Sequence, residues 1–347
     1  MVERIIIADD LTGALDAAAP FAMRGIATCV ALNAHALPEC LASGARIVSV
    51  STDSREVEPA LAHRAVKAVL ARIPAGTALF KKVDSRLKGN IEAELDAIPH
   101  AHSLVVPAIP EFGRWMRNGQ LGGFGVETPI DIANRLGHHA GHAVIPDISS
   151  AEDISRALAQ PCDLLVGARG LAQALAEAMV PDAPAPSLLL PSGRAYCVVG
   201  STDPITSAQL KNLRASDPVI AYVPAPNGRG EPPAGEANLT IIRATEGAEQ
   251  IDGKSVAHAL AETLSRLAPP PGSLLVLSGG ATAQIILDRL GITMVELLGE
   301  ALPGLPLCRA GDLTVVTKSG GFGPVDTLTR LFAPYLSSRS AVDHHVG

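Results

Sequence analysis

The sequence has few aromatic residues and no run of basic residues. Phe, Trp and Tyr make up 3% of the 347 residues, and the formal net charge is −7. These properties argue against a general nucleic-acid-binding protein. Because 47% of the residues are hydrophobic and so few are aromatic, Ala, Leu, Val and Ile must fill the interior, as in folds with buried parallel strands. The length favours two domains.

The five cysteines are scattered, odd in number and without a CxxC pair. This pattern argues against a zinc site and a disulfide framework, so we expect reduced, buried thiols. No apolar run is long enough to span a membrane, and the sequence opens on a strand without the features of a signal peptide. We therefore expect a cytoplasmic protein with neither a membrane nor a nucleic-acid partner.

Several common motifs are also absent. The sequence contains no Walker A loop, no proper GxGxxG and no GxSxG elbow, which removes the main signals for the usual nucleotide folds and for serine hydrolases. The histidines form no HExxH or HxxxH pair on a predicted helix. His138, His139 and His142 cluster in a polar, glycine-containing segment, where metal binding is the less favoured interpretation, and no metal ligands are assigned.

Short apolar runs alternate with amphipathic segments along the chain. This alternation predicts an α/β fold of two domains, each a mainly parallel sheet flanked by helices. The proline-rich stretch PDAPAPSLLLPSG, which ends at residue 193, indicates a linker, so we predict domains at 1–185 and 186–336, followed by a polar tail at 337–347. The glycine-rich segment Arg114–Gly125 and the proline cluster Pro224–Pro233 are predicted to be loops.

Charged residues follow several predicted strands of the first half. In parallel sheets, ligands bind beyond the carboxyl ends of the strands. Adjacent carboxylates there suit Mg²⁺ coordination or general-base work on a hydroxyl, and an Arg with a nearby Lys suits a carboxylate ligand. The alternatives are that Asp10 or Thr12 only caps the following helix and that Lys81 and Lys82 lie on a solvated edge. The residues at these strand ends are Asp9, Asp10, Ser54, Arg55, Asp84 and Ser85.

Three turns of the second half place glycine within a few residues of the end of a predicted strand. Glycine lets the backbone approach a ligand closely, and successive N–H groups at a helix start can bind an anion. One such turn alone is best explained as an ordinary tight turn, but three on one sheet edge favour a polyphosphate, and Lys318 adds positive charge. The turns are Gly200-Ser201, Gly279-Gly280-Ala281-Thr282 and KSGGFG at 318–323.

Taken in order, the motifs of this sequence resemble those of the four-carbon acid sugar kinase family, and they span nearly the whole chain. The combination of ADDLTGA with KxDSxxxGN is specific to that family. The matching segments are ADDLTGALD at 8–16, STDSR at 51–55, KKVDSRLKGNIEAEL at 81–95, PAIPEFGR at 107–114, NGQL at 118–121, GSTDPIT at 200–206, SGGATA at 278–283, PGLP at 303–306 and TKSGGFG at 317–323.

The resemblance implies phosphorylation of aldonates such as threonate, erythronate or their oxo forms, with ATP and Mg²⁺, in a cleft between a sugar-acid-binding and a nucleotide-binding domain. The proposed catalytic residues are Asp10 and Asp84. The sugar acid would be bound by Asp9, Arg55, Lys82, Ser85 and Arg114, with Arg55 on its carboxylate. ATP would be bound by Ser201, Gly279, Gly280, Ala281, Thr282, Lys318, Gly320, Gly321 and Gly323.

The sequence departs from the family pattern at four places, one of which is a short segment after Leu121. Trp115 and Met116 follow the GR motif, Ala281 stands where many members have an acidic residue, and VGARGL replaces a VGSAGL-like turn around Arg169. A sugar-acid- and nucleotide-binding protein of altered activity is therefore an alternative. A dinucleotide-dependent oxidoreductase is a second one, which the absent GxGxxG disfavours. The acid, the phosphorylated hydroxyl, the identity of the base and the oligomeric state, including a homo-oligomer, are left open.

Overall fold

The computed structural model describes residues 2–184, 186, 188–233 and 235–336, and the chain forms two compact units. The first unit combines Met1–Leu188 with Ile292–Ala310, and the second combines Leu189–Gly291 with Gly311–Gly347. The predicted polar tail at 337–347 lies outside the described residues. Residues 292–310 were assigned to the second domain from the sequence. They belong to the first unit because their first strand pairs with a strand near the start of the chain.

Strands and helices alternate through the first 188 residues. The strands are β1 (Arg4–Ala8), β2 (Thr28–Ala31), β3 (Ile47–Ser51), β4 (Ala78–Lys82), β5 (Ser103–Val106), β6 (Arg114–Arg117), β7 (Gln120–Gly123), β8 (Val126–Asp131), β9 (Ala143–Val144) and β10 (Leu164–Gly167). The helices are α1 (Leu11–Ala22), α2 (Leu37–Ala42), α3 (Pro59–Leu70), α4 (Ile91–Leu95), α5 (Ile132–Leu136), α6 (Ala151–Ala157) and α7 (Arg169–Met179), with 3₁₀ turns at Pro110–Phe112 and Gly137–His142.

The same alternation continues through the rest of the chain. The strands are β11 (Ala195–Val199), β12 (Ala221–Pro226), β13 (Leu239–Thr245), β14 (Leu274–Ser278), β15 (Met294–Leu302), β16 (Leu305–Ala310) and β17 (Leu313–Lys318). The helices are α8 (Pro204–Ser216), α9 (Gly253–Leu267), α10 (Gly280–Arg289) and α11 (Thr327–Phe332), followed by a 3₁₀ turn at Ala333–Tyr335.

The sheet of the first unit has the strand order β16-β15-β2-β3-β1-β4-β10-β5-β9. From β2 to β9 every neighbouring pair is parallel, whereas the β15–β16 hairpin joins antiparallel at β2. Four consecutive residues of β1, Ile5–Ala8, are buried. A continuous apolar run of this kind is typical of a parallel strand that is covered on both faces.

The segment Arg114–Gly125 is not the loop that its glycine content predicted. It contributes β6 and β7, which form an antiparallel sheet with β8. Gly122 lies opposite Trp115, and a Cβ at Gly122 would overlap the Trp115 ring. The glycine therefore makes room for a large side chain inside a sheet and does not mark irregular backbone.

One pair of cysteines also differs from expectation. Cys29 on β2 and Cys40 on α2 form a disulfide with their Cα atoms 5.8 Å apart, whereas the sequence predicted reduced thiols only. The spacing of the two residues gave no signal, because they meet only when α2 folds back on β2. Cys162, Cys197 and Cys308 are free.

The sheet of the second unit is entirely parallel, in the order β12-β13-β11-β14-β17. The predicted loop Pro224–Pro233 begins inside β12. Pro224 and Pro226 are accommodated there because β12 lies at the end of this five-stranded order, where a missing N–H is tolerated. Within the described part of the chain, no helix combines the length and apolar character that crossing a membrane requires.

Candidate active site

Three strands of the first unit end side by side. Ala8, the last residue of β1, pairs in register with Ser51 of β3 on one side and with Lys82 of β4 on the other. The residues that follow these strands therefore emerge at the same edge of the sheet. The predicted residues Asp9, Asp10, Arg55 and Asp84 are brought together there, as the sequence analysis expected for the carboxyl ends of parallel strands.

Arg55 is already paired with two carboxylates. Its Nε and Nη2 donate to Asp9 at 2.8 and 2.7 Å, and its Nη1 donates to Asp10 Oδ2 at 2.6 Å. Asp9 is only 2% exposed. Burial by itself would raise the pKa of Asp9, but the Arg55 hydrogen bonds and nearby lysine charges hold that pKa below its usual range. Arg55 therefore anchors the two acids. This leaves few of its N–H groups for the contact with a substrate carboxylate that the sequence predicted.

Asp10 acts as the N-cap of α1. Its Oδ1 accepts from the Gly13 backbone N–H at 2.6 Å, and its Oδ2 accepts from the Thr12 hydroxyl at 2.6 Å. A carboxylate at this position satisfies a free N–H group and is stabilised by the helix dipole. The capping alternative of the sequence analysis is therefore correct for Asp10 as geometry, and the same carboxylate also pairs with Arg55.

The carboxylate of Asp84 has fewer close side-chain partners than that of Asp9 or Asp10. Its Oδ1 accepts from the backbone N–H of Arg86 at 2.9 Å, while its Oδ2 lies 4.0 Å from Arg55 Nη1. The side chain is 17% exposed, and no donor to Oδ2 is found in the described part of the chain. Asp84 Oδ2 is therefore the carboxylate oxygen of this cluster that is most available to accept a proton from a ligand.

Ser85 and Arg114 lie next to Asp84. Arg114 Nη1 donates to the Ser85 hydroxyl, and its Nε and Nη2 donate to the Phe124 carbonyl at 3.2 and 2.9 Å. Burial and the neighbouring charge of Arg86 lower the pKa of Arg114. Trp115, the next residue on β6, points to the opposite face of that strand. The Trp115 departure from the family pattern therefore leaves the Arg114–Ser85 contact intact.

The two lysines at the end of β4 are buried, so their interpretation as a solvated edge is wrong. Lys81 Nζ lies 2.8 Å from Glu94 Oε2 on α4 without hydrogen-bond geometry, and the Ser54 hydroxyl donates to the other oxygen of Glu94. Lys82 is 3% exposed, and its Nζ donates to the Val83 carbonyl at 2.8 Å. As the alternation of a strand requires, only Lys82 lies on the side of Gly13 and the α1 N-terminus.

The glycine turns of the second unit also end on one sheet edge. Val199 of β11 pairs in register with Ser278 of β14, which pairs in turn with Lys318 of β17. A Cβ at Gly200 would collide with the Thr282 hydroxyl, and one at Gly320 would collide with the Ser201 hydroxyl. The three turns thus pack against one another, and glycine is required at Gly200 and Gly320. Their binding of a polyphosphate stays a prediction.

Lys318 is held inside its own loop. Its Nζ donates to the Ser319 and Gly320 carbonyls at 2.9 Å and to the Thr206 hydroxyl at 3.2 Å, and the residue is 1% exposed. All three ammonium protons are therefore used. Burial lowers the pKa of Lys318 to about 8. Lys318 contributes charge to the loop and fixes its backbone, and its Nζ is not a free donor in this conformation.

The remaining nucleotide candidates surround this loop. Gly279, with φ +107°, caps α10, and Ala281 is exposed in the first turn of that helix. Gly323 has φ +86°, a conformation that favours glycine. Gln209 of α8 donates to three consecutive carbonyls of the loop, Phe322 to Pro324.

Asp203 is a functional candidate that the sequence analysis missed. Its Oδ1 caps α8 by accepting from Ile205 N–H at 2.8 Å, and its Oδ2 is the nearest atom to the position that a Cβ on Gly321 would occupy. The sequence carries a signal for it, because Asp203 lies four residues beyond the end of β11, in the turn between that strand and α8.

Mg²⁺ requires oxygen ligands, which the aspartates of both sheet edges supply. Among the described residues, Asp9, Asp10 and Asp84 do not converge as a set of three ligands. In phosphoryl-transfer sites, however, Mg²⁺ is held by one or two carboxylates together with phosphate oxygens. Asp203 beside the glycine loop fits that requirement, so the residues present are compatible with Mg²⁺.

Comparison with known domain families gives two matches to this chain. Residues 4–131 match the family model described as a sugar-binding N-terminal domain, and residues 229–328 match the one described as a nucleotide-binding C-terminal domain. The strand-end cluster lies in the first match, and the glycine turns at Gly279 and Gly320 lie in the second. The predicted division of binding tasks between the two halves agrees with both descriptions.

Named relatives are similar along nearly the whole chain. D-threonate kinase from Bordetella bronchiseptica is 29% identical, with 94% of this chain and 95% of the relative covered. 3-Oxo-tetronate kinase from Methylobacterium radiotolerans is 26% identical, with 93% and 97% covered. A crystal structure of a protein from Salmonella typhimurium LT2 has a TM-score of 0.74 at 19% identity, covers 97% of this chain and 100% of that one, and supports the fold.

Proposed function

Because the chain belongs to the four-carbon acid sugar kinase family and is a sugar-acid kinase, we propose that it transfers a phosphoryl group from ATP to a hydroxyl of a small sugar acid, with Mg²⁺. The acid has four carbons, as in threonate, erythronate or an oxo-tetronate. The similar kinases are named for different acids, so similarity alone does not select one of them.

The observation that carries the proposal is that Arg55 pairs closely with two of the three aspartates and not with the third. Arg55 neutralises Asp9 and Asp10 at 2.6–2.8 Å, while Asp84 Oδ2 stays 4.0 Å from that guanidinium. Phosphoryl transfer needs little from a protein besides positioning, charge neutralisation and a carboxylate that accepts the proton of the attacking hydroxyl. We assign that base role to Asp84, and to Asp10 the role of holding Arg55 and α1 in place.

Arg114 is our candidate for the carboxylate of the sugar acid. It is a half-buried guanidinium whose side-chain hydrogen bonds go to a hydroxyl and a carbonyl, and Arg86 lies near it. Two adjacent positive charges favour a bound anion, and a guanidinium can bind a carboxylate through two parallel hydrogen bonds. Lys82 supplies further positive charge near the N-terminus of α1.

The loop from Lys318 to Gly323 is our candidate for the ATP phosphates. Gly320 and Gly321 bring backbone close to a ligand, and Lys318 keeps the loop carbonyls turned toward its own ammonium group. Mg²⁺ would be held by Asp203 together with the phosphates and would neutralise their charge during transfer. Ser201, Gly279 and Thr282 complete the same edge of the second sheet.

An ATP-consumption assay over a panel of four-carbon aldonates and oxo-aldonates tests the proposal. We expect Mg²⁺-dependent formation of ADP and a phosphorylated acid with one or a few members of the panel. Aldonates of five and six carbons, and the neutral four-carbon polyol, serve as controls for chain length and for the carboxylate. Calorimetric binding of ATP and an acid without any phosphorylated product would favour the alternative of a binding protein with altered activity.

A further inference from the structure

Three histidines lie close together at the amino ends of two strands of the first sheet, whereas the strand-end cluster lies at carboxyl ends. His100 precedes β5, and His139 and His142 lie in the 3₁₀ turn that leads into β9. Because β5 and β9 are parallel neighbours with Ser103 opposite Ala143, their entry segments lie side by side. One ring nitrogen from each histidine lies within 4.8 Å of one from each of the others.

The spacing of the three rings suits a metal ion at their centre. The ring centroids are 5.2 Å apart for His100 and His139, 5.3 Å for His100 and His142, and 5.5 Å for His139 and His142. A tetrahedral ion with Zn–N bonds of about 2.1 Å places imidazole centroids roughly 5 Å apart. The rings are therefore already separated as three ligands of one ion would be.

Two of the rings have their tautomers fixed by hydrogen bonds on the far side. His100 Nδ1 lies 2.7 Å from the Ile98 carbonyl, which can only accept, so Nδ1 carries the proton. His139 Nε2 lies 3.0 Å from Asp96 Oδ1, which likewise accepts. The other nitrogens, His100 Nε2 and His139 Nδ1, are buried and lack a partner in the described part of the chain. Their lone pairs are therefore available.

This arrangement is the one that metal-binding histidines use. A ligating imidazole usually donates its other N–H to a carboxylate or a backbone carbonyl, which orients the ring and raises its basicity. Here Asp96 is the acceptor for His139 Nε2, and the Ile98 carbonyl is the acceptor for His100 Nδ1. His139 is 6% exposed, so its unpaired nitrogen has no solvent to replace the missing partner.

We propose that His100, His139 and His142 form a binding site for Zn²⁺ or a similar divalent transition metal, with a fourth coordination position open to water or another ligand. Neutral imidazole suits Zn²⁺ and is a poor ligand for Mg²⁺, so this site is separate from the Mg²⁺ used with ATP. The ion would fasten the segment after α4 to the turn before β9.

A second set of ligands, Asp96, His138 and His139, is a weaker candidate. Its members also come within 4.8 Å of one another, but Asp96 Oδ1 already pairs with His139 Nε2 at 3.0 Å and with His138 Nε2 at 3.3 Å. Binding through those atoms would break existing contacts and would leave the unpaired nitrogens of His100 and His139 unused. The set with free lone pairs is therefore the one proposed.

The test is metal binding by the full chain, prepared without a histidine tag and stripped with a chelator. We expect one tightly bound Zn²⁺ per chain by calorimetry and, with Co²⁺ as the probe, the intense visible absorption of tetrahedral coordination. Zn²⁺ should also raise the melting temperature. The His344→Ala/His345→Ala double variant should behave as the unmodified chain, which excludes metal capture by that adjacent pair.

Four variants separate this site from its neighbours. His142→Ala, at a half-buried position, should weaken Zn²⁺ binding at least 100-fold, and Asp96→Asn should weaken it about 10–100-fold. His138→Ala, in the same turn, should change it less than 3-fold, and His102→Ala should do the same. Loss of binding in His138→Ala but not in His142→Ala, or absence of stoichiometric binding to the unmodified chain, would overturn the proposal. If His142→Ala fails to fold, the Co²⁺ spectrum and Asp96→Asn decide.

Discussion

The two candidate ligand edges of this molecule are built by different means. In the first unit, charged side chains hold one another: Arg55 joins Asp9 and Asp10, and Lys81 joins Glu94. In the second unit, close-packed glycines and one internally bonded lysine shape the backbone. The first edge should therefore be sensitive to the loss of a charge, and the second to the addition of volume.

The largest effect should come from removing the proposed base of the first edge. Asp84→Asn keeps the Oδ1 acceptor for Arg86 N–H but cannot take a proton, so we expect kcat to fall about 10²–10⁴-fold. The melting temperature should stay within a few degrees, because Asp84 is partly exposed and only distantly paired.

Asp131→Asn is the matched control for Asp84→Asn, since Asp131 is a helix-capping aspartate of the same unit on an exposed segment. Its kcat should be unchanged. If Asp84→Asn keeps near-normal kcat while Asp10→Asn loses it, the base is Asp10, and the weaker pairing of Asp84 with Arg55 does not mark the catalytic group.

The next largest effect should be on stability. Arg55→Met leaves the buried Asp9 carboxylate without its bidentate partner, and breaking one side of a buried ion pair lowers the free energy of unfolding by about 3–5 kcal/mol. Arg114→Met removes no such partner and should leave stability nearly unchanged while raising the KM for the sugar acid at least tenfold. Urea denaturation and steady-state kinetics of both variants measure the contrast. Equal stability of the two would show that Arg55 does not anchor Asp9.

A smaller effect should follow from adding volume to the second edge. A Cβ at Gly321 would lie 2.9 Å from Asp203 Oδ2, so Gly321→Val should weaken ATP binding about tenfold and leave sugar-acid binding unchanged. Gly253→Val is the control, since a Cβ at Gly253 meets nothing within 4 Å. Calorimetry with each ligand separates the two effects. Normal ATP affinity in folded Gly321→Val would contradict the assignment of the loop to phosphates.

The smallest effect should be proton uptake by the protein when ATP binds. Burial lowers the pKa of Lys318 to about 8, so near pH 8 about half of the molecules carry a neutral Lys318. A phosphate nearby favours the charged form, and ATP binding should therefore take up a fraction of a proton at pH 8 and almost none at pH 6.5. Calorimetry in buffers of different ionisation enthalpy measures the uptake. Lys318→Met should abolish it, and uptake that persists in that variant would assign the proton to another group.

The strand-end residues of both units were predictable because each follows an apolar run that ends sharply. The alternation of strands and helices gave the two-unit α/β architecture, and the motifs from Ala8 to Gly323 gave the family. These signals are local: the run Ile5–Ala8 and the residues that follow it can be read from a short window of sequence, and the parallel pairing then places their ends together.

What the sequence did not predict depends on contacts between distant residues. The pairing of Lys81 with Glu94, the Cys29–Cys40 disulfide and the meeting of His100 with His139 all require the path of the backbone. Arg169, a departure from the family pattern, donates through Nη1 and Nη2 to the two carboxylate oxygens of Glu300 on β15. Neither residue predicts the other, because the hairpin that carries Glu300 returns to the first unit only after most of the second has been traversed.

That hairpin sets a condition on how the protein is made. During synthesis, residues 1–188 leave the ribosome before β15 exists, so β2 keeps one unpaired edge until Met294–Leu302 has been translated. Until then the ion pair between Arg169 and Glu300 cannot form. An exposed strand edge invites pairing with other chains. We therefore expect a nascent or recombinant fragment that stops at residue 188 to aggregate, and one in which residues 292–310 are rejoined through a short linker to fold.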